Sequence, residues 1–297
     1  MTAALPLPIK FGIGARTLFT VRRRLRRVPL SLAEALTGEV TMLPPLLPGD
    51  DGWLITSLPD DAAAPLLAEG DRIVLVRQRY ARRYADLGLG IDGYLASFSS
   101  KSRSTLLRKV RKFTELSGGA LDLRRYRTPD EIAEFHGIAR RLSALTYQEK
   151  LLDAGLPEDA AAMCRLAAED RARGWILFLA GAPVSYLYAP AEGDTLIYAY
   201  LGYDPAQAQH SPGSVLQIEA MRDVIAEGRF RRFDFTEGDG QHKRLFATGS
   251  VDCMDLLILR PSLPNRATVL ALKAFDGAVA AAKQLVGNSG WAKRLRR

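Results

Sequence analysis

Cysteine and histidine are scarce in this chain of 297 residues, which holds two Cys and three His. Cys164 and Cys253 belong to no CxxC pair and no histidine cluster, so zinc and redox chemistry lack their ligands. Both sit in apolar surroundings and read as small buried hydrophobes, with no sign of an oxidising compartment. No uncharged apolar run reaches the ~18 residues of a membrane-spanning helix. The first 19 residues are interrupted by Lys10 and Arg16, and their apolar stretch precedes the arginine cluster, the reverse order of a signal peptide. The expectation is a cytoplasmic protein, at most peripheral at the inner face of a membrane. GxSxG, HExxH, Walker A and zinc-deaminase spacings are missing as well, as are fixed-period repeats and low-complexity segments.

Hydrophobic residues make up 47% and charged residues 25%, a globular balance that excludes a disordered or collagen-like chain. The length suits one large or two small domains. Lys and Arg number 41 against 33 Asp and Glu, a net charge of +8. Such a surplus favours polyanions, phosphorylated ligands or an anionic membrane surface without choosing among them.

Residues 1–30 carry seven basic residues and no acid. Leu18, Val21, Leu25 and Val28 lie there at helical spacing, which predicts a basic amphipathic helix that packs on its own domain or lies on a membrane. Residues 52–57 and 72–78 read as strands. Residues 98–116 hold Lys101, Arg103, Arg108, Lys109, Arg111 and Lys112. Leu106, Leu107, Val110 and Phe113 form an apolar stripe, so this is a helix with one basic face. That face meets phosphates or is simply solvated. A boundary is expected at the SerGlyGly that follows. This gives an N-terminal α/β unit at 1–118, a second domain at 119–262, and an amphipathic helix with a basic tail at 263–297.

From 120 onward the pattern sharpens. Residues 120–127 alternate as a strand, and Thr128 with Pro129 and Glu131 opens a helix. A second helix follows Pro157. Residues 175–180, 183–189 and 194–202 read as three strands joined by GlyAlaPro and GluGlyAsp turns. Helix 214–227, strand 229–235, a short helix within 238–246 and strand 251–260 follow. The order β-α-α-β-β-β-α-β-α-β predicts an α+β fold with a mixed sheet.

Two regions are candidates for chemistry. In the first, the loop 211–214 opens helix 214–227 directly after a strand that carries Tyr198 and Tyr200. A helix start offers free N–H groups to an anion, and Gly213 permits close approach; an ordinary helix start fits the same residues. In the second, residues 233–246 gather Asp234, Glu237, Asp239, His242 and Lys243 just past a strand end. There a ligand site and a capped, solvated turn both remain open. His210 lies in the preceding loop, whereas His136 lies mid-helix and reads as structural.

The element order across 120–260 resembles the GNAT acyltransferase fold. The segments GlyAlaProValSerTyrLeuTyr, TyrAspProAlaGlnAlaGlnHisSerProGlySerValLeu and PheAspPheThrGluGlyAspGlyGlnHisLysArgLeuPheAla, with the basic Ser-Lys-x-Arg at 100–103, resemble the cellulose-biosynthesis-associated acetyltransferases. That subgroup is related to the FemABX aminoacyltransferases. Two positions depart from the pattern. The pyrophosphate loop at 207–214 keeps one glycine, Gly213, and His242 stands where the family has Tyr before its Lys.

The resemblance implies a GNAT fold in the C-terminal part beside a smaller, GNAT-like N-terminal α/β unit. It implies acetyl-CoA or another acyl-CoA as co-substrate and no metal. Tyr200, Leu201, Gly202, Gly213, Ser214 and Val215 would bind the donor. Tyr198, His210 and Lys243 would meet the acceptor. Glu237 or Asp239 would act as base and His242 as acid.

The leading expectation is acyl transfer to an amine or hydroxyl of a cell-envelope or exopolysaccharide precursor, so a small-molecule, glycan or peptidoglycan-precursor acceptor is the implied partner. The alternatives are a FemABX-like enzyme using aminoacyl-tRNA, and a non-catalytic basic peripheral scaffold with a degenerate GNAT fold.

Overall fold

The computed structural model of the chain describes residues 5–13, 16–39, 42–68, 70–146, 155–238 and 240–288, with side chains at all but 13, 16 and 283–288. Asp239 and the basic tail at 291–297 lie outside the described residues. The chain divides into two compact units, residues 1–79 with 252–297, and residues 80–251.

The first unit opens with an antiparallel hairpin, β1 (Leu5–Ile13) and β2 (Arg16–Pro29), paired from Leu5↔Leu25 to Phe11↔Phe19. Helix α1 (Leu32–Thr37) follows, closed by a capping box between Ser31 and Glu34. β3 (Gly52–Pro59) runs parallel to β2, and β11 (Gly249–Leu259) pairs antiparallel with β3. Between them come the single-turn α2 (Ala64–Leu67) and β4 (Ile73–Asp86), the strand that leads into the second unit. The final helix α9 (Leu263–Asn288) places Val269 and Leu272 in one cluster with Ile9, Phe11 and Leu25.

The helix expected around residues 18–28 is thus a strand. Val21 and Leu25, four residues apart, also share one face of a strand and pack beside Ile9 and Phe11, while Leu18 is exposed and Val28 joins a different cluster. Three arginines find partners that a sequence does not display. Arg26 is buried against Asp50 at 2.8 Å. The Arg23 guanidinium donates to Asn265 and Thr268 of α9. The backbone N–H of Arg24 donates to the Asp51 carboxylate. Pro6 and Pro8 in β1 fit an edge strand, where a missing N–H is tolerated.

The second unit is the mixed α/β fold expected. From β4 the chain forms α3 (Gly90–Ser97), α4 (Ser100–Leu116), β5 (Asp122–Tyr126), α5 (Pro129–Ser143) and α6 (Ala161–Ala168). β6 (Ala172–Leu179), β7 (Ala182–Glu192), β8 (Thr195–Ile197) and β9 (Tyr200–Tyr203) follow, then α7 (Pro212–Glu227), β10 (Arg232–Asp234) and α8 (Gln241–Phe246). The strand order is β4-β10-β8-β7-β6-β5, with β9 on β7.

β6 explains the layering. Trp175 and Leu177 join one cluster with Phe113, Val215 and Leu216, while Ile176 and Phe178 join another with Ile132 and Phe135. A strand covered on both faces shows a continuous apolar run. Helix α4 contributes Leu106 and Phe113 to the first cluster, so the boundary expected at 118 falls inside this unit. SerGlyGly ends a helix there, not a domain. His136 is buried with Nε2 2.7 Å from the Pro157 carbonyl, and Cys253 is buried, both as read from sequence.

At the end of β10, Asp234 is fully buried and Arg82 of β4 nearly so, joined at 2.6 Å. The same carboxylate accepts the Thr236 backbone N–H at 2.8 Å. Removing one partner of such a pair strands a charge out of water. Asp234→Ala is expected to lower the free energy of unfolding by about 3–5 kcal/mol, measured by urea titration. Glu169→Ala, which opens the exposed pair with Arg171, is expected to cost less than about 1 kcal/mol. Equal losses would show that burial does not set the difference.

Candidate functional site

The strand expected as one piece at 194–202 is broken. β8 runs parallel to β10, with Arg232↔Thr195, Phe233↔Leu196 and Asp234↔Ile197 in register. One further bond, from the Tyr198 N–H to the Asp234 carbonyl at 2.8 Å, ends the pairing. Ala199 then donates to Tyr188, and β9 continues on β7 alone. β10 turns away in turn, since the Phe235 N–H donates to Arg83 and Thr236 takes a left-handed φ of 62°. Two neighbouring strands therefore separate at Tyr198.

A cavity of about 330 Å³ lies at this separation. Tyr198, Leu201 and Tyr203 form one wall, Ser211, Gly213, Ser214 and Gln217 of the α7 start another, and His242 and Phe246 of α8 a third. Ser211 precedes Pro212 with φ 54° and ψ 45°, left-handed for a non-glycine residue. Held that way, its side chain makes no cap bond to the helix, so no side chain closes the α7 start. Pro212 has no N–H, and the Ser214 and Val215 N–H groups donate to the Ser211 carbonyl at 3.0 and 3.2 Å, so the Gly213 N–H and the positive end of the helix dipole are what this start offers at the cavity wall.

His242 stacks obliquely on Tyr198, ring centroids 5.3 Å apart. His242 is exposed by surface area, yet protein atoms crowd its ring. That desolvation first, and the Lys243 ammonium second, hold its pKa below the usual histidine value. The imidazole is therefore neutral at pH 7. Tyr198 packs among Phe233 and Phe235, and burial pushes its phenol upward, so it stays protonated. Burial also lowers Lys243, with Asp234 and Glu237 opposing.

Of the residues singled out from sequence, Tyr198, Leu201, Gly213, Ser214 and His242 come together around the cavity. The others stand elsewhere. Tyr200 packs against Tyr188 on the face covered by α5 and α6. Val215 is fully buried in the core. Gly202 is small for packing, because a Cβ there would lie 2.5 Å from the Tyr186 ring. His210 meets the Gln209 side chain. Lys243 donates to the Thr236 hydroxyl and the Glu237 carbonyl, bracing the turn after β10. Glu237 is exposed and outside the cavity wall. Gln217 and Phe246 were missed. Gln217 carried a signal, a lone polar residue one helical turn after Gly213 within an apolar helix face.

The acetyltransferase (GNAT) domain family matches residues 100–244. The matched stretch runs from α4 into α8, and the match supports a transferase role. The C-terminal domain of a putative lysylphosphatidylglycerol synthetase from Agrobacterium fabrum shares the fold at a TM-score of 0.50 and 9% identity, covering 76% of this chain and 72% of that one. FemX aligns at a TM-score of 0.45 and 13% identity, over 69% of this chain and 72% of its own. A GCN5-related N-acetyltransferase from Kribbella flavida aligns at 0.38 and 13%, over 72% and 69%. No curated protein matches the chain. Among the described residues no helix is long and apolar enough to cross a membrane, and no side-chain cluster suits a metal ion.

The two glycines of the cavity region separate by experiment. Gly202→Ala forces a methyl into Tyr186 and is expected to cost about 1–3 kcal/mol in thermal or urea unfolding. Gly213→Ala meets Tyr203 and Leu201 at 3.4 and 3.5 Å, near ordinary contact, and is expected to leave stability within about 1 kcal/mol.

Proposed function

We propose that the chain is an acyl-CoA-dependent acyltransferase that passes an acyl group directly from a thioester to an amine or hydroxyl. The observation that carries this reading is the cavity where β9 parts from β10, with the uncapped α7 start on one wall and His242 on another. A helix start suits a pyrophosphate, and an unpaired strand edge suits an amide-bearing arm. The resemblance of residues 95–260 to cellulose-biosynthesis-associated acetyltransferases supports an acceptor of the cell-envelope or exopolysaccharide class.

In the reaction the acceptor nitrogen or oxygen bonds to the thioester carbonyl carbon and its proton leaves. The carbon–sulfur bond then breaks, and the departing thiolate takes a proton. Glu237 faces solvent, whereas His242 lines the cavity, and the proton traffic is assigned to His242 on that ground. Its lowered pKa suits both halves. The neutral ring accepts the nucleophile's proton, and the imidazolium so formed is a stronger acid than usual toward the thiolate. The protonated phenol of Tyr198 donates a hydrogen bond to the charge that develops.

The decisive experiment titrates the protein with acetyl-CoA and free CoA by calorimetry and thermal shift. Saturable stabilisation is expected, about 2.7 kcal/mol at a hundredfold excess over Kd. No response to a panel of acyl-CoAs would remove this reading and promote the scaffold one. His242→Ala is expected to lower kcat by roughly 10²–10⁴ while sparing CoA affinity. The wild-type rate should fall on acidification along a limb below the usual histidine pKa, because protonation removes the base. That limb should vanish in the variant.

A second reading, transfer from aminoacyl-tRNA, has one specific support. Lys101, Arg103, Arg108, Lys109, Arg111 and Lys112 make no ion pair among the described residues, and α4 packs against the 205–210 segment that leads to the cavity. The fold shared with a lysylphosphatidylglycerol synthetase domain fits this reading too. Salt-sensitive tRNA binding lost on reversing Lys109 and Arg111 would favour it.

A further inference from the structure

Helix α7 buries one residue that its packing does not require. Ala220, Met221 and Val224 are completely covered, and Gln217 is 1% exposed at the cavity wall. Among the described residues, neither its amide nitrogen nor its amide oxygen has a hydrogen-bond partner. A buried polar group without a partner destabilises the fold. Met would fill nearly the same space with no such penalty. The carboxamide thus spoils local stability beside a cavity already bounded by a helix start and a tyrosine.

The chemistry of the group narrows what would relieve it. A carboxamide presents two N–H donors and one acceptor oxygen. A phosphate would take the donors and leave the oxygen facing an anion. An apolar acyl chain would satisfy neither end. A chain with amide groups offers a carbonyl to the nitrogen and an N–H to the oxygen.

We propose that Gln217 reads the donor's arm, hydrogen-bonding the amides of a pantetheine-type thioester and so favouring that donor class over an aminoacyl ester. The proposal rests on the acyl-CoA reading and deepens it. Gln217 is a specificity-determining contact for the arm, one helical turn inside the site that receives the phosphates. The contact forms as the carboxamide turns from the wall into the cavity.

The test uses the full chain and calorimetry with three probes: CoA, 4′-phosphopantetheine and adenosine 3′,5′-bisphosphate. Gln217→Met is expected to keep or raise Tm. It should weaken CoA and 4′-phosphopantetheine roughly tenfold and leave adenosine 3′,5′-bisphosphate unchanged. Gln217→Asn, which draws the amide back by one methylene, should show the same selective loss. Wild-type protein that binds no probe overturns the donor reading and this proposal together. Wild-type binding with an equally tight Gln217→Met overturns the proposal alone. Parallel loss of the head and arm fragments also overturns it, since Gln217 then only supports the helix start. If neither variant folds, the carboxamide is satisfied within the fold and the proposal falls.

Discussion

The last backbone bond between Tyr198 and Asp234 governs this structure's functional half. Up to that bond β8 and β10 are ordinary parallel neighbours. Beyond it, each needs other partners, because backbone groups buried without hydrogen bonds are not tolerated. β9 takes β7 and Phe235 takes Arg83. The gap between them follows from this redistribution, and the cavity, the helix start and the two rings at its edge all depend on it.

Holding that gap open needs rigid margins. On one side the buried Arg82–Asp234 pair fixes the end of β10, and the same carboxylate captures Thr236 in its left-handed turn. Lys243 then ties the turn to α8, which brings His242 against Tyr198. On the other side Gly202 lets β9 press onto Tyr186, and the Ser185 hydroxyl donates to its carbonyl. Several residues that look like chemistry in the sequence are braces. Asp234, Lys243 and Gly202 position the groups that line the opening.

This division explains what the sequence could and could not disclose. The α5–β6–β7 run and α7 were legible because their periods are unmixed: Ile132, Phe135 and Ala139 mark one helix face, and residues 175–179 form an unbroken apolar strand. That Gly213 and His242 would line one opening was legible because a helix start and a polar turn after a strand are local patterns. The break at Tyr198 was not, since strand propensity continues through Ala199 and only competition between β7 and β10 ends the pairing. The hairpin of the first unit misled for a similar reason. Leu18, Val21, Leu25 and Val28 satisfy a helical period, but Asp50, Asp51 and Asn265 hold the intervening arginines in a strand. Those partners lie far along the chain, where spacing carries no message.

The proline pair of β1 has an effect beyond its own unit. An unguarded terminal strand is a template on which a second polypeptide can grow a ladder, the first step toward fibres. Pro6 and Pro8 delete two donors from that margin, and Lys10 adds a charge beside them. A chain this rich in apolar strands thereby carries its own brake on edge-to-edge growth.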